Sequence, residues 1–258
     1  MDPVEIIFFD IDGTLVDMET GQISERTRFT LKHLQKNGIR ICLATGRSPM
    51  ALPQWPDLEF DAYLTFNGSL CYTHRETIFQ KPIAEEDVQK IIQNAALLGR
   101  PVAVATRDTL AANGFDKDLA DYYAFSHLIL RESPEFLRIS RQNIYQIMMG
   151  CQEADYPAIL SGTSGVKIAA WWDRAIDIIP ADGGKVRGIQ AILSHFGLSK
   201  EDAMAFGDGN NDLEMLQAVG RGIAMGNASP ALKAVADAVC GHEKGDGIFH
   251  YCMAHRLI

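Results

Sequence analysis

Residues 6–9 of this chain read Ile-Ile-Phe-Phe, and the run stops at Asp10-Ile11-Asp12-Gly13-Thr14. A strand with one wet face alternates apolar and polar residues, whereas a run that is apolar at every position is covered on both faces. Such strands belong to parallel sheets, whose strands are joined by helices that pack back onto the sheet. The opening run therefore commits the following chain to helical crossovers, and the next elements fit. Ser24 is placed to cap a helix that runs to Asn37, with Leu31 and Leu34 on its inner face and Gly38 as its stop. Residues 39–44 read as a second apolar strand ending at Thr45-Gly46-Arg47, and residues 62–66 as a third ending at Asn67-Gly68.

The alternation returns toward the other end. Val186, Ile189, Ile192, Leu193 and Phe196 recur at helical spacing before Gly197. Residues 203–206 form a short apolar strand that runs into Gly207-Asp208-Gly209-Asn210-Asn211-Asp212, with Leu213, Leu216 and Val219 on the helix behind it. A strand at 223–225, a helix opened by Ser229-Pro230, a strand at 238–240 and a helix from Asp246 complete the series. The middle behaves differently. A helix over 82–98 carries Val88, Ile91, Ile92, Ala95 and Leu98 on one face, and strand-like pieces follow at 102–105, 144–149 and 166–171. Pro82 and Pro180-Ala181-Asp182-Gly183-Gly184 are the natural hinges. The expected fold class is α/β: a parallel-sheet core built from residues 1–81 and 185–258, with an α+β cap of residues 82–184 inserted in it. At 258 residues and 47% hydrophobic, the chain has enough apolar material for both parts.

Charge and cysteine usage narrow the function. A net charge of −9, with Lys and Arg scattered, argues against a nucleic-acid partner, which requires a basic face. Five cysteines, widely spaced and without a C-x-x-C pair, suit reduced thiols. The start MDPVEIIFFD lacks a secretory pattern, and no stretch reaches the length of a membrane span. The expectation is a cytoplasmic protein that meets neither membrane nor nucleic acid.

Polar clusters stand just past strand ends: Asp10 with Asp12, Thr45, and Asp208 with Asn211 and Asp212, while Lys185 opens a helix. Open parallel sheets bind ligands beyond the carboxyl ends of their strands, so these distant residues are expected in one crevice. Asp10 is placed to act as a nucleophile that forms an aspartyl phosphate. Asp12, two residues on, is suited to protonate a leaving alkoxide and then to deprotonate the water that releases phosphate. Gly13 permits a sharp turn close to a phosphate. Several carboxylates facing a dianionic substrate call for a hard cation, and magnesium takes oxygen ligands such as Asp10, the Asp12 carbonyl and Asp208, with Asp212 holding a bound water. Thr45 and Lys185 then suit the remaining phosphoryl oxygens.

The motifs DIDGT at 10–14, ATGR at 44–47, Asn67-Gly68, Lys185 and GDGNND at 207–212 together resemble the haloacid dehalogenase (HAD) superfamily phosphatases, specifically the Cof-type group with a large α/β cap. That resemblance implies a Rossmann-like core, Mg2+ as cofactor, hydrolysis of a small phosphorylated metabolite, and a cap that chooses the substrate. It also implies substrate contacts from Gly13, Gly46, Arg47, Asn67, Gly68 and Asn211. The family places Gly directly after the lysine, whereas Val186-Arg187 follow Lys185 here, with Gly188 later. Lys167 and Lys81 are the alternative lysines.

Other readings fit less well. An EF-hand counted from Asp10 meets Leu15 and Gly21 at its glycine and glutamate positions, and one counted from Asp208 meets Leu213 and Val219. The tail residues Cys240, His242, His250, Cys252 and His255 match no common zinc spacing. Trp171-Trp172 are expected chiefly to pack, with one of the two free to line a cleft. A phosphomutase would keep the same aspartyl phosphate but return it to a second hydroxyl. A non-catalytic sensor of phosphorylated metabolites has no need of both Asp10 and Asp12.

Overall fold

A computed structural model describes residues 4–124, 129–170 and 172–258. In chain order, the elements are β1 (Ile6–Phe9), α1 (Glu25–Lys36), β2 (Arg40–Ala44), β3 (Ala62–Thr65), β4 (Leu70–Tyr72), β5 (Thr77–Gln80), α2 (Glu85–Leu97), β6 (Val102–Ala105), β7 (Leu110–Ala112), α3 (Lys117–Ala124) and α4 (Phe136–Ile139). Then come β8 (Gln146–Gly150), α5 (Tyr156–Ile159), β9 (Val166–Ala169), β10 (Ala175–Pro180), α6 (Lys185–Phe196), β11 (Ala203–Gly207), α7 (Leu213–Gln217), β12 (Arg221–Ala224), α8 (Pro230–Val235), β13 (Ala238–Val239) and α9 (Gly247–Ala254). These elements divide into two compact units. The first holds residues 1–45, 53–79 and 185–258, and the second residues 46–52 and 80–184.

In the first unit eight strands lie in the order β13-β12-β11-β1-β2-β3-β4-β5. β1 is central and every residue in it is fully buried, as its unbroken apolar run requires. It pairs in parallel with β2 on one edge (Ile7↔Ile41) and with β11 on the other (Ile7↔Met204). From β1 the chain steps outward through β2 and β3; from β11 it steps the opposite way through β12 and β13. Right-handed crossovers running in opposite directions put their helices on opposite faces of the sheet. α1 and α9 accordingly pack together, and so do α6 and α7. The reversal falls between β1 and β11, and such a switch point opens a crevice at the carboxyl ends of the strands.

Local sequence accounts for the pieces. Ser24 Oγ accepts from Thr27 N at 3.0 Å, Leu31 and Leu34 are buried, and Gly38 leaves the helix at φ 84°. On the α9 side, Phe9 stacks on Phe206 at 5.4 Å and Phe206 meets Tyr251 edge-on at 5.5 Å. Gly188 answers the departure noted after Lys185. A Cβ there would lie 2.5 Å from Leu64 Cδ1 and 2.9 Å from Cys71 Sγ, so the glycine lets α6 rest directly on β3 and β4. The turn into the lysine is supplied instead by Gly184, at φ 122°.

The second unit holds an antiparallel sheet in the order β7-β6-β8-β10-β9. Val88, Ile91 and Ala95 of α2, with Phe136, Ile139 and Ile159, close one apolar core over Val102, Val104, Ile147, Met149, Ile176 and Ile178. The helix expected from Pro82 starts at Glu85, because Pro82 and Ile83 are spent entering it and Ile83 N donates to Ile144 O. Ile144 and Tyr145 precede β8 rather than begin it. Arg174 lies 4.7 Å over the Trp172 ring; Trp171 falls outside the described residues. No helix among the described residues is long and apolar enough to cross a membrane.

Candidate active site

β1 hands the chain straight to Asp10, whose N–H continues the ladder to Phe206 O at 3.0 Å and fixes the residue at the strand's carboxyl end. On the neighbouring strand, β11 hands over to Asp208. The two acids therefore flank the switch point because their strands are neighbours there. Lys185, the first residue of α6, reaches in between: Nζ donates to Asp10 Oδ1 at 2.7 Å and to Asp212 Oδ1 at 2.5 Å. All three side chains are buried, Lys185 with only 2% of its surface exposed.

Asp212 has a second task. Its Oδ2 accepts from Asp208 N at 3.0 Å and Gly209 N at 3.1 Å, tying down the loop after β11. Thr14 Oγ1 donates to Asp208 Oδ1 at 3.0 Å. Gly13 stands where a Cβ would come 2.2 Å from Asp208 Oδ2, and its φ of 79° suits glycine. Its bareness is thus what lets the Asp208 carboxylate sit against the 10–14 loop.

Charge is unbalanced. Asp10, Asp208 and Asp212 bring carboxylate oxygens within 4.8 Å of one another, Asp12 adds repulsion, and Lys185 supplies one positive charge. Burial pushes Asp10 well above the usual carboxylate range; Lys185 opposes this, and Asp212, Asp208 and Asp12 reinforce it. Burial, then Asp212, lifts Asp208 to about 7 against the Thr14 hydrogen bond. Burial would discharge Lys185, but Asp10 and Asp212 overcome it and keep the ammonium charged. An excess of buried carboxylate oxygens with no nitrogen or sulfur donor is a donor set for a hard divalent cation. Asp12 is outside that carboxylate group.

The remaining expected site residues divide. Thr45 is buried at the end of β2, where its N–H donates to Leu64 O at 2.9 Å and its carbonyl accepts from Asn67 N at 3.0 Å. Asn67 follows β3 with φ 51°, next to Phe66 at φ 50°, a left-handed pair that turns the chain sharply before Gly68. Asn211 folds its Oδ1 against Gly209. Gly46 and Arg47 fall in the second unit, where Arg47 Nη1 donates to Ala51 O at 2.9 Å. Of the alternative lysines, Lys81 pairs with Asp182 at 3.1 Å and Lys167 lies on β9, both in the second unit. Two participants were not picked out from sequence, Thr14 and Asn227. Asn227 stands three residues past Ala224, the last residue of β12, so the rule that flags polar residues beyond strand ends would have found it.

The model of the haloacid dehalogenase-like hydrolases matches residues 7–252. The chain belongs to that family. Among its relatives, YkrA of Bacillus subtilis is 31% identical over 245 residues, 95% of each chain. HMP-PP phosphatase of Cronobacter sakazakii is 28% identical over 256 residues, 94% of this chain and 92% of its own. A solved HAD subclass IIB sugar phosphatase superposes with a TM-score of 0.89 at 30% identity, over 98% of this chain and all of that one. The family's α/β core accounts for the mainly parallel sheet of the first unit, in which β3 and β4 pair antiparallel, and its hydrolase chemistry sets the context for the acid cluster.

Proposed function

We propose that this protein is a Mg2+-dependent phosphatase that hydrolyses a small phosphorylated metabolite, a sugar phosphate or cofactor phosphate, through a phosphoryl group carried on Asp10. The observation that carries this reading is the buried Lys185 ammonium held between Asp10 and Asp212, beside Asp208, at the sheet's switch point. Sugar and HMP-PP phosphatases among the similar proteins support the substrate class.

Lys185 occupies Asp10 Oδ1, favours the ionised carboxylate in opposition to burial, and leaves Oδ2 for attack on phosphorus. Asp12 gives its proton to the departing alkoxide oxygen. It then takes one from the water that attacks the aspartyl phosphate, so phosphate leaves and Asp10 is regenerated. Thr45, Asn67 and Gly68, beyond the neighbouring strand ends, are assigned to the phosphoryl oxygens. A magnesium ion held by Asp10, Asp208 and the Asp12 carbonyl would offset the surplus negative charge and polarise the phosphoryl group. The second unit is assigned the choice of metabolite, because the groups just named engage only a phosphoryl moiety.

The test is phosphate release from a panel of phosphorylated sugars and cofactors, with and without magnesium. Asp10→Asn is expected to reduce turnover by at least about 10^3-fold, in line with loss of a covalent nucleophile. Full activity in that variant would refute the mechanism.

A further inference from the structure

Asn227 is bonded in a way that the reaction just proposed does not explain. Its Nδ2 donates to Gly13 O at 2.7 Å and faces Asp208 Oδ2 at 3.5 Å, while its Oδ1 accepts from Glu243 N at 3.3 Å. Two acceptors on the amide nitrogen and a donor on the oxygen fix which way the carboxamide points. The backbone around it is equally determined. Met225 N donates to Gly207 O at 2.9 Å, Ala228 N to Met225 O at 2.9 Å, and Ser229 N to Asp208 O at 3.2 Å. Gly226 lets this turn press against residues 241–242, since a Cβ there would meet His242 N at 2.6 Å. One side chain therefore links three loops of the first unit: the loop after β1, the loop after β11 and the 242–243 turn.

We infer that Asn227 is a positioning residue for the cation site, holding the Asp208 carboxylate and the Gly13 carbonyl in fixed register. Asp208 Oδ1 is held by Thr14, so Asn227 is the side chain on its other oxygen. With both oxygens oriented, the carboxylate cannot swing about its last torsion, and the 10–14 loop cannot drift from the 207–212 loop. Asn227 itself touches no reacting atom. Residues that orient a metal ligand in this way characteristically carry a 10- to 100-fold share of metal affinity, roughly. The inference rests on the proposed metal-dependent reading.

Two variants test it. Asn227→Ala removes the amide, and Asn227→Asp keeps its shape while facing two acceptors with a carboxylate. Mg2+ binding is measured by calorimetry on the full-length protein without substrate, alongside a urea melt in magnesium-free buffer and kcat against magnesium concentration. For Asn227→Ala the expected result is a Mg2+ dissociation constant raised about 10-fold. Its metal-free urea midpoint should stay near that of the wild type, and kcat should recover at high magnesium. Asn227→Asp should change the constant too, while Asn227→Gln, which keeps an amide within reach, recovers part of the affinity. Unchanged Mg2+ affinity in both Ala and Asp variants overturns the inference, as does a kcat loss that magnesium does not rescue. If the wild type itself binds no Mg2+, the metal-dependent reading fails instead.

Discussion

Lys185→Met isolates the central electrostatic contact. The substitution keeps a long unbranched chain but removes the charge bridging Asp10 at 2.7 Å and Asp212 at 2.5 Å, leaving two carboxylates buried without their cation. Removing one partner of a buried ion pair costs about 3–5 kcal/mol, chiefly because the other charge remains uncompensated, so about 4 kcal/mol is expected at pH 8 without magnesium. The loss should depend on pH in one direction. Asp10 already has its folded-state pKa raised by burial, so what it contributes is present below the ordinary carboxylate range and lost as pH rises through the raised value. Removing Lys185 raises that value further. The gap between wild type and variant should therefore be smallest near pH 5 and widen toward pH 8. Trp55 belongs to the first unit, next to Phe60 at 5.9 Å, so a Trp171→Phe, Trp172→Phe background makes fluorescence-monitored urea melts report on that unit. Coincident melts at pH 8, or a gap that narrows as pH rises, would refute the reasoning.

Two further outcomes are expected. Gly13→Ala should lose about 1–2 kcal/mol from the left-handed backbone alone, and phosphate release should fall as its Cβ, 2.2 Å from Asp208 Oδ2, displaces that carboxylate; a melt and a turnover assay check both. With Asp208 raised to about 7 in the metal-free protein, protons should compete with magnesium below that pH and not above it. Calorimetry at pH 6 and pH 8 should show weaker binding at pH 6, by about 10-fold for each pH unit below the pKa; equal affinity at the two pH values contradicts the assignment.

Much of this was readable from the chain, and the limits have physical causes. Ile6–Phe9 announced a two-sided strand because burial on both faces leaves no polar position to confuse the period. Ser24 and Gly38 marked α1 because capping is local chemistry. Glycine and acid clusters identified the loops after β1 and β11 for the same reason. β4, β5 and β10 were harder. Tyr72, Thr77 and Gln80 give the hairpin a mixed pattern, and its place is set by pairing such as Tyr63↔Tyr72. β10 carries Asp177 at a fully buried position, which no alternation rule anticipates; Tyr122 Oη donates to it at 2.5 Å from α3. Thr14 escaped notice because its importance lies in which partner it faces, and Asp208 is 194 residues away, whereas Asn227, 19 residues from Asp208, stands beyond a strand end where its type alone marks it. Gly188 shows the same limit: its reason is the side chain of Leu64.

Asp10 and its ammonium partner are separated by 175 residues of chain, and β1 waits longer still for β11 along one of its edges. During synthesis, Ile6–Phe9 emerge before both of their partners and gain β2 soon after, yet their other edge stays open until residue 206 has been made. An open apolar edge invites pairing with another chain. The order in which this polypeptide is made therefore keeps Asp10 from its partner until Lys185 has been made, and it concentrates the hazard of aggregation in the interval before β11 arrives.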